Sequence, residues 1–365
     1  MTNTEKNFVA IISVTKNCPL RCEYCYVHKK DSHRMSINTV KRIIDELFQI
    51  NKFPTTEIIW HGGEPLLMGL SFYKTVCEYI SKNYPNKKVV HKLQTSGYLI
   101  NEEWIDFFKE FKFDVGISLD GPEFIHDKQR KDKRGKPTFV KIFNSAKLME
   151  QHGLRPGFIA VITKNSLDFY KEIFNFFYEN KWQFSFAKVS ITNDDNTDLG
   201  ISVDEYLTFY ERILDLFINQ QEFRLKIVPI YHHILSYMKG TSVGLCVNEH
   251  SCAENYLSFS PDGNVFNCNR FIDYPTESFG NILKQPLLEI LKSKKRLEFL
   301  NRPNAITESC SNCSIKKVCN GGCPYEDFVK SNSVYNKEYE CITHKGIYSL
   351  IDKKLRSELR INSNV

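Results

Sequence analysis

The densest chemistry in the chain is Cys18-Pro19-Leu20-Arg21-Cys22-Glu23-Tyr24-Cys25, three thiols within eight residues. Soft thiolates are the ligands that iron–sulfur clusters require. Three of them hold three irons of a cubane and leave the fourth open to a small molecule. A zinc knot, or a chance group of buried thiols, would use the same residues. Further on stands His61-Gly62-Gly63-Glu64-Pro65. Its glycines let backbone approach a ligand closely, and its carboxylate can accept from an ammonium group. By itself such a turn is more simply a tight connection. Eight further cysteines follow residue 240: Cys246, Cys252, Cys268, Cys310, Cys313, Cys319, Cys323 and Cys341. They make two sets of four, enough for two fully ligated metal centres of iron–sulfur or zinc type.

These residues need elements to hold them. The run 8–14 is β-rich and apolar throughout, as expected of a strand buried on both faces of a parallel sheet. Cys18 follows it directly, at the strand end where α/β proteins keep their chemistry. Further strands are expected at 57–60, 88–95, 113–119, 157–163 and 184–189. Helices are expected between them at 36–49, 70–82, 101–110, 138–151 and 166–180, with Ser36 and Asn101 as N-caps. Six strand–helix repeats imply a parallel sheet with right-handed crossovers, curled into a partial barrel or doubly wound. A helix at 203–220 follows the polar stretch Asn193-Asp194-Asp195-Asn196, the expected exit from this domain. Beyond residue 240 the Gly-, Pro- and Cys-punctuated texture suits a fold held by metals, with a hairpin turn at Ser260-Pro261-Asp262-Gly263-Asn264 and a terminal helix at 344–360.

The 365 residues leave room for a barrel-sized domain and a smaller one, at ~150 residues per domain. Hydrophobic residues make up 42% and aromatics 13%, and neither a signal peptide nor a membrane-length apolar run is present. A cytoplasmic protein is expected, with no membrane and no nucleic-acid partner. Twelve cysteines in such a chain point to metal ligation over disulfides. Cys77 alone stands apart and reads as a small buried apolar residue. The net charge of +6 is spread out except in the run 127–136, which reads as a solvated loop or a docking point for an acidic peptide or redox partner.

The spacing C-x-x-x-C-x-x-C with an aromatic before the last cysteine, followed one strand–helix unit later by Gly-Gly-Glu, resembles the radical S-adenosylmethionine (SAM) enzymes. The resemblance implies an α/β fold built as a partial (β/α)6 TIM barrel. It makes Cys18, Cys22 and Cys25 the ligands of a 4Fe-4S cluster whose open iron binds SAM, with Tyr24 near the adenine. Gly62, Gly63 and Glu64 would hold the methionyl amino group. Gln94-Thr95-Ser96-Gly97 and Ser118-Leu119-Asp120-Gly121-Pro122 resemble segments of the peptide-modifying branch. Gln94, Ser118, Asp120 and Arg130 are thereby SAM-contact candidates, a hydroxyl and a guanidinium suiting carboxylate and ribose oxygens. For Asp120 and His126, loop-shaping hydrogen bonds are an equal alternative. The cysteine layout after residue 240 resembles the SPASM domain, which carries two auxiliary 4Fe-4S clusters. The implied sets are Cys246, Cys252, Cys268 and Cys323, and Cys310, Cys313, Cys319 and Cys341. The expected domains are 1–235 for the barrel with a bridging helix, 236–345 for SPASM, and 346–365 for a terminal helix and tail.

Over the whole length the resemblance is to sulfatase-maturing enzymes, with one departure. There an aspartate, thought to act as base, follows the third auxiliary cysteine; here the residue is Asn269, in Cys268-Asn269-Arg270-Phe271. An amide takes no proton at neutral pH. Cys-x-Arg-Phe resembles enzymes that cross-link peptides instead. The expectation is therefore a maturase that forms a thioether or carbon–carbon cross-link in a ribosomally made precursor peptide. A sulfatase maturase making formylglycine is the second choice, ahead of a peptide epimerase or a non-enzymatic zinc or iron–sulfur protein. His61, where those maturases carry glutamine, and Asn269 and Arg270 are the substrate-side candidates, though Arg270 could equally pair internally. Expected partners are the peptide or protein substrate and a low-potential donor of flavodoxin or ferredoxin type. With only 17 residues before Cys18, any leader peptide is expected to bind a separate protein or the barrel and SPASM surface.

Overall fold

The computed structural model describes residues 7–50, 53–190, 198–220, 223–248, 252–305, 310–336 and 338–362. The stretch Asn193 to Asn196 lies outside them. The strands are β1 (Phe8–Thr15), β2 (Leu20–Cys22), β3 (Thr55–Gly62), β4 (Lys88–Thr95), β5 (Asp114–Ser118), β6 (Arg130–Asp132), β7 (Gly157–Ile162), β8 (Phe184–Lys188), β9 (Tyr256–Phe259), β10 (Asn264–Phe266) and β11 (Gly280–Asn281). All six strands expected in the first half are present within two residues of their expected ends. Two compact units divide the chain. The first holds Met1–Leu119, His126–Phe158 and Ala253–Leu300; the second holds Asp120–Ile125, Ile159–Cys252 and Asn301–Val365.

In the first unit the strand order is β11-β10-β9-β1-β3-β4-β5. β1 to β5 pair in parallel apart from the short β2, with Ser13 opposite His61 at the carboxyl ends of β1 and β3. The helices between them are amphipathic. Ile37–Ile50 buries Val40, Ile43, Ile44, Leu47 and Phe48, the three-and-four spacing of one helix face. Ser36 Oγ accepts the Thr39 amide at 3.0 Å, and Asn101 Oδ1 accepts the Trp104 amide at 3.1 Å, so both expected caps are formed. The expected hairpin exists as antiparallel β9 and β10, with Gly263 at φ +85° in the turn. Its first strand does something unforeseen: β9 adds to the parallel sheet beside β1, with Ile11 opposite Ser258.

The second unit carries β8 and most of β7, adjacent in strand order, with helices Tyr170–Glu179, Val203–Ile218, Val228–Lys239, Pro324–Ser331 and Glu338–Asn362. Ser202 and Glu205 form a reciprocal capping box at the start of Val203–Ile218. The Tyr210 hydroxyl meets His233 Nδ1 at 3.0 Å and joins that helix to the next. Among the described residues no helix is long and apolar enough to cross a membrane.

Candidate active site

β1 ends at Thr15, and the loop that follows carries Cys18, Cys22 and Cys25. Cys22 sits on β2, which pairs antiparallel with β6 and places Cys22 opposite Arg130. The Glu23 amide donates to Gln129 O at 2.9 Å, the Lys133 amide to Pro19 O at 3.0 Å, and Lys133 Nζ to Asn17 Oδ1 at 2.8 Å. Within the charged run 127–136, Asp127 to Gln129 end a helix and β6 is braced on the cysteine loop, while residues 133–136 form an exposed turn, as the composition suggests. At the flanks of the run, Thr138 Oγ1 donates to Arg130 O at 2.7 Å and lies 3.2 Å from Nε2 of the buried His126. His126 therefore shapes this arm.

Asp273 holds the loop at both ends. Its carboxylate accepts from Lys16 Nζ at 2.8 Å, before the cysteines, and from the His28 and Lys29 amides at 2.6 and 3.0 Å, after them. These bonds hold its pKa below the usual carboxylate range despite the opposing effect of burial. Only its place five residues after Cys268 marks Asp273 in the sequence.

Cys22 and Cys25 line a cavity of about 340 Å³ with Leu20, Val27 and Lys30. Cys18 Sγ lies nearby, accepting the Leu20 amide at 3.4 Å, and burial pushes its thiol up to about 12. Such a sulfur becomes a thiolate when a cation binds it. Among the described residues no three Cys, His, Asp or Glu side chains converge on one single-ion point. A cubane asks for something else, thiols spread along the wall of a cavity, and Cys22 and Cys25 line one here with Cys18 bonded to its Leu20. Arg130 reaches 3.8 Å from Cys22 Sγ and stacks 5.2 Å above the Tyr24 ring, so both cofactor candidates stand at the cysteine loop.

The Gly-Gly-Glu turn is pressed against the same loop. The Gly63 and Glu64 amides donate to Thr15 O and Asn17 O, each at 2.8 Å. A Cβ on Gly62, which has φ +130°, would fall 2.2 Å from Thr15 O, and one on Gly63 would fall 2.3 Å from Asn17 O. Close approach does require these glycines, and the partner visible here is the chain leading into Cys18. The buried Glu64 carboxylate accepts from Thr95 Oγ1 at 2.7 Å, from the Ser96 amide at 2.9 Å and hydroxyl at 2.5 Å, and from the Leu66 amide at 3.1 Å. Burial still raises its pKa. Gln94 Nε2 donates to Ser118 Oγ at 3.1 Å, tying the ends of β4 and β5. In the second unit, Asp120 accepts the Val161 amide at 2.9 Å.

Asn269 is buried within the first unit and knits four side chains together. Its Oδ1 accepts from Ser13 and, at 3.4 Å, from Ser258; its Nδ2 donates to Tyr26 Oη at 2.7 Å and faces His61 Nδ1 at 3.3 Å. Enclosure lowers the His61 pKa to about 4, so its ring is neutral. Tyr26 is raised, again chiefly by burial, and feels the charges of Cys25, Cys268 and Arg270. The Asn269 and Arg270 amides donate to Cys268, which caps the short turn Asn269–Phe271. Ser13, Tyr26 and Ser258 carry no signal in the sequence beyond Tyr26's place after Cys25.

The remaining candidate ligands lie in the second unit. Cys310, Cys313 and Cys319 all act electrostatically on Cys341, so these four stand together. His344 bonds Cys319 and lies 3.5 Å from Glu340, which takes Lys188 at 2.8 Å. This buried chain went unforeseen. Cys323 donates its amide to Glu340 at 3.3 Å, Cys246 is exposed, and Cys252 begins the short helix Cys252–Asn255. Cys77 is buried as expected, 4.0 Å from His91.

Two family models cover the cysteine loop, the glycine turn and the later cysteines from Cys246 to Cys313. Residues 12–177 match the radical SAM superfamily, and 246–314 match the SPASM iron–sulfur cluster-binding domain. The chain is a radical SAM/SPASM enzyme, and it uses SAM and 4Fe-4S clusters. Among its relatives is the serine-type anaerobic sulfatase-maturating enzyme of Bacteroides thetaiotaomicron, 29% identical over 351 residues, covering 89% of this chain and 84% of the relative. The cysteine-type enzyme of Clostridium perfringens is 27% identical over 354 residues, covering 92% and 93%. The solved structure of native anSMEcpe with bound AdoMet and Cp18Cys peptide matches at TM-score 0.85 and 25% identity, over 98% of this chain and 99% of that one.

These likenesses overturn the cross-linking expectation. It rested on the four residues Cys268 to Phe271, whereas the agreement with sulfatase-maturating enzymes runs over most of both chains. The zinc-protein alternative falls with it.

Proposed function

We propose that this chain is an anaerobic sulfatase maturase, oxidising a cysteine or serine of a sulfatase polypeptide to formylglycine. The observation that carries the reading is full-length similarity to both serine-type and cysteine-type maturating enzymes. In this reading Cys18, Cys22 and Cys25 hold the SAM-binding cluster. Gly62, Gly63 and Glu64 form the methionyl side of the SAM site. Tyr24, Gln94, Ser118, Asp120 and Arg130 form its adenine, ribose and carboxylate side. Cys246, Cys252, Cys268 and Cys323, and Cys310, Cys313, Cys319 and Cys341, each hold an auxiliary cluster. Residues 1–235 form the barrel domain, 236–345 the SPASM domain and 346–365 the terminal helix and tail. When bound, SAM and the reduced cluster supply a 5'-deoxyadenosyl radical that removes one hydrogen atom from the substrate carbon.

The protein's own part is to position that carbon and keep water away from it. Asp273, β6 and Lys133 fix the cysteine loop. Ser13, Tyr26, His61, Ser258 and Asn269 form a polar floor at the carboxyl ends of β1, β3 and β9, with Arg270 beside it to grip a substrate carbonyl or carboxylate. A flavodoxin- or ferredoxin-type protein supplies the electron. The test is anaerobic incubation of the reconstituted protein with SAM, dithionite and a sulfatase-derived peptide, read by mass spectrometry after aldehyde capture with a hydrazine. An aldehyde at the target residue is expected. A cross-linked or epimerised peptide without aldehyde would refute the reading.

A further inference from the structure

The floor around Asn269 has a fixed hydrogen-bond polarity. The Gly62 backbone amide donates to His61 Nδ1 at 2.8 Å, and a backbone N–H cannot reverse. Nδ1 is therefore an acceptor and the ring hydrogen sits on Nε2. Asn269 must turn its NH₂ toward that ring, which sends its carbonyl to the Ser13 and Ser258 hydroxyls. The other NH₂ hydrogen goes to Tyr26 Oη, so the phenol's own hydrogen points elsewhere. Two donors remain for a visitor, His61 Nε2–H and Tyr26 O–H. The basic lone pair of the group, His61 Nδ1, is already engaged twice. The titratable and charged groups bearing on this floor are His61, Tyr26, Cys25, Cys268 and Arg270.

We propose that this chain takes cysteine rather than serine as its substrate residue, with His61 Nε2–H and Tyr26 O–H binding the substrate thiolate. The assignment rests on the maturase reading above. Oxidation of –CH₂–S⁻ removes one hydrogen atom from the β-carbon, to the deoxyadenosyl carbon, and one electron, to an acceptor of the iron–sulfur class. Water then replaces sulfur, giving the aldehyde and hydrogen sulfide. Serine must lose one thing more, its hydroxyl proton, and this floor offers no base for it. A free thiol is already ionised to a few per cent at neutral pH, and donors favour the ionised form further. General-base assistance is worth roughly 10²–10⁴ in rate, which sets the expected gap between the two substrates.

The experiment uses the reconstituted enzyme and two peptides that differ only in cysteine or serine at the target. Expected results are conversion of the cysteine peptide at least ~100-fold faster in kcat/KM. The bound peptide thiol, followed by alkylation rate against pH, should ionise about one unit or more below the free peptide. Asn269→Asp, which places an acceptor among the Ser13, Ser258 and Tyr26 hydroxyls, should raise serine conversion. Serine conversion by the wild type within tenfold of cysteine, or an unshifted thiol pKa, would overturn the proposal whether or not that variant folds. Aldehyde formation from either peptide keeps the maturase reading standing in those cases. Conversion of neither, with 5'-deoxyadenosine still formed, would overturn both.

Discussion

Asp273→Asn isolates the clamp on the cysteine loop. The Asp273 side chain is 4% exposed and accepts three bonds, one of them from the ammonium of a Lys16 side chain that is itself 16% exposed. Asparagine keeps the shape and one acceptor oxygen, so the His28 and Lys29 amides retain a weaker partner. The loss centres on Lys16. A charge-assisted bond is worth about 2 kcal/mol, and a mostly buried ammonium left unpaired adds to that. At 1.4 kcal/mol per factor of ten, loop opening becomes roughly 30-fold more frequent. The assay is anaerobic iron release from the reconstituted cluster to a chelator, followed by absorbance. Release roughly 30-fold faster is expected, with faster loss of SAM cleavage alongside. A rate within twofold of wild type would refute the clamp. The pH dependence has a defined sign. The folded pKa of Asp273 lies below its unfolded value of about 3.9, so its contribution is complete above that pH and is lost as pH falls through the folded value. Iron release from the wild type should accelerate toward that of Asp273→Asn only in this acid window.

Further perturbations separate scaffold from chemistry. Gly63→Ala puts a methyl 2.3 Å from the Asn17 carbonyl, where only backbone movement can relieve it, and SAM cleavage should fall at least tenfold; retained 5'-deoxyadenosine production would show that the docking of the two loops is dispensable. On the proposed assignment Cys22→Ala removes one of three cluster ligands and should abolish SAM cleavage, with retained 5'-deoxyadenosine refuting that assignment. Asn101→Ala removes the Trp104 cap and should lower stability by about 1 kcal/mol in denaturant titration while leaving the ratio of aldehyde to 5'-deoxyadenosine unchanged.

Where local chemistry decides structure, the sequence was readable. The apolar run of β1, the alternation of strand and helix, and the caps at Ser36 and Asn101 follow from neighbours within a few residues. What distant segments decide was hidden. β9 beside β1 joins residues about 250 apart, and Asp273 grips Lys16 from a similar distance. Arg130 was legible only as a likeness, since its approach to Cys22 depends on the pairing of β6 with β2. Asn269 taught the opposite lesson. Its identity is plain in the sequence, but an amide in place of a carboxylate changes the polarity of one floor and leaves the surrounding architecture intact.

The central claim is tested most directly by mass spectrometry of a cysteine-containing sulfatase peptide after anaerobic turnover with SAM. The account predicts a hydrazine-reactive aldehyde at the target cysteine, with sulfide released and 5'-deoxyadenosine formed alongside. Peptide recovered with its sulfur retained in a thioether, or unmodified while 5'-deoxyadenosine accumulates, would contradict it.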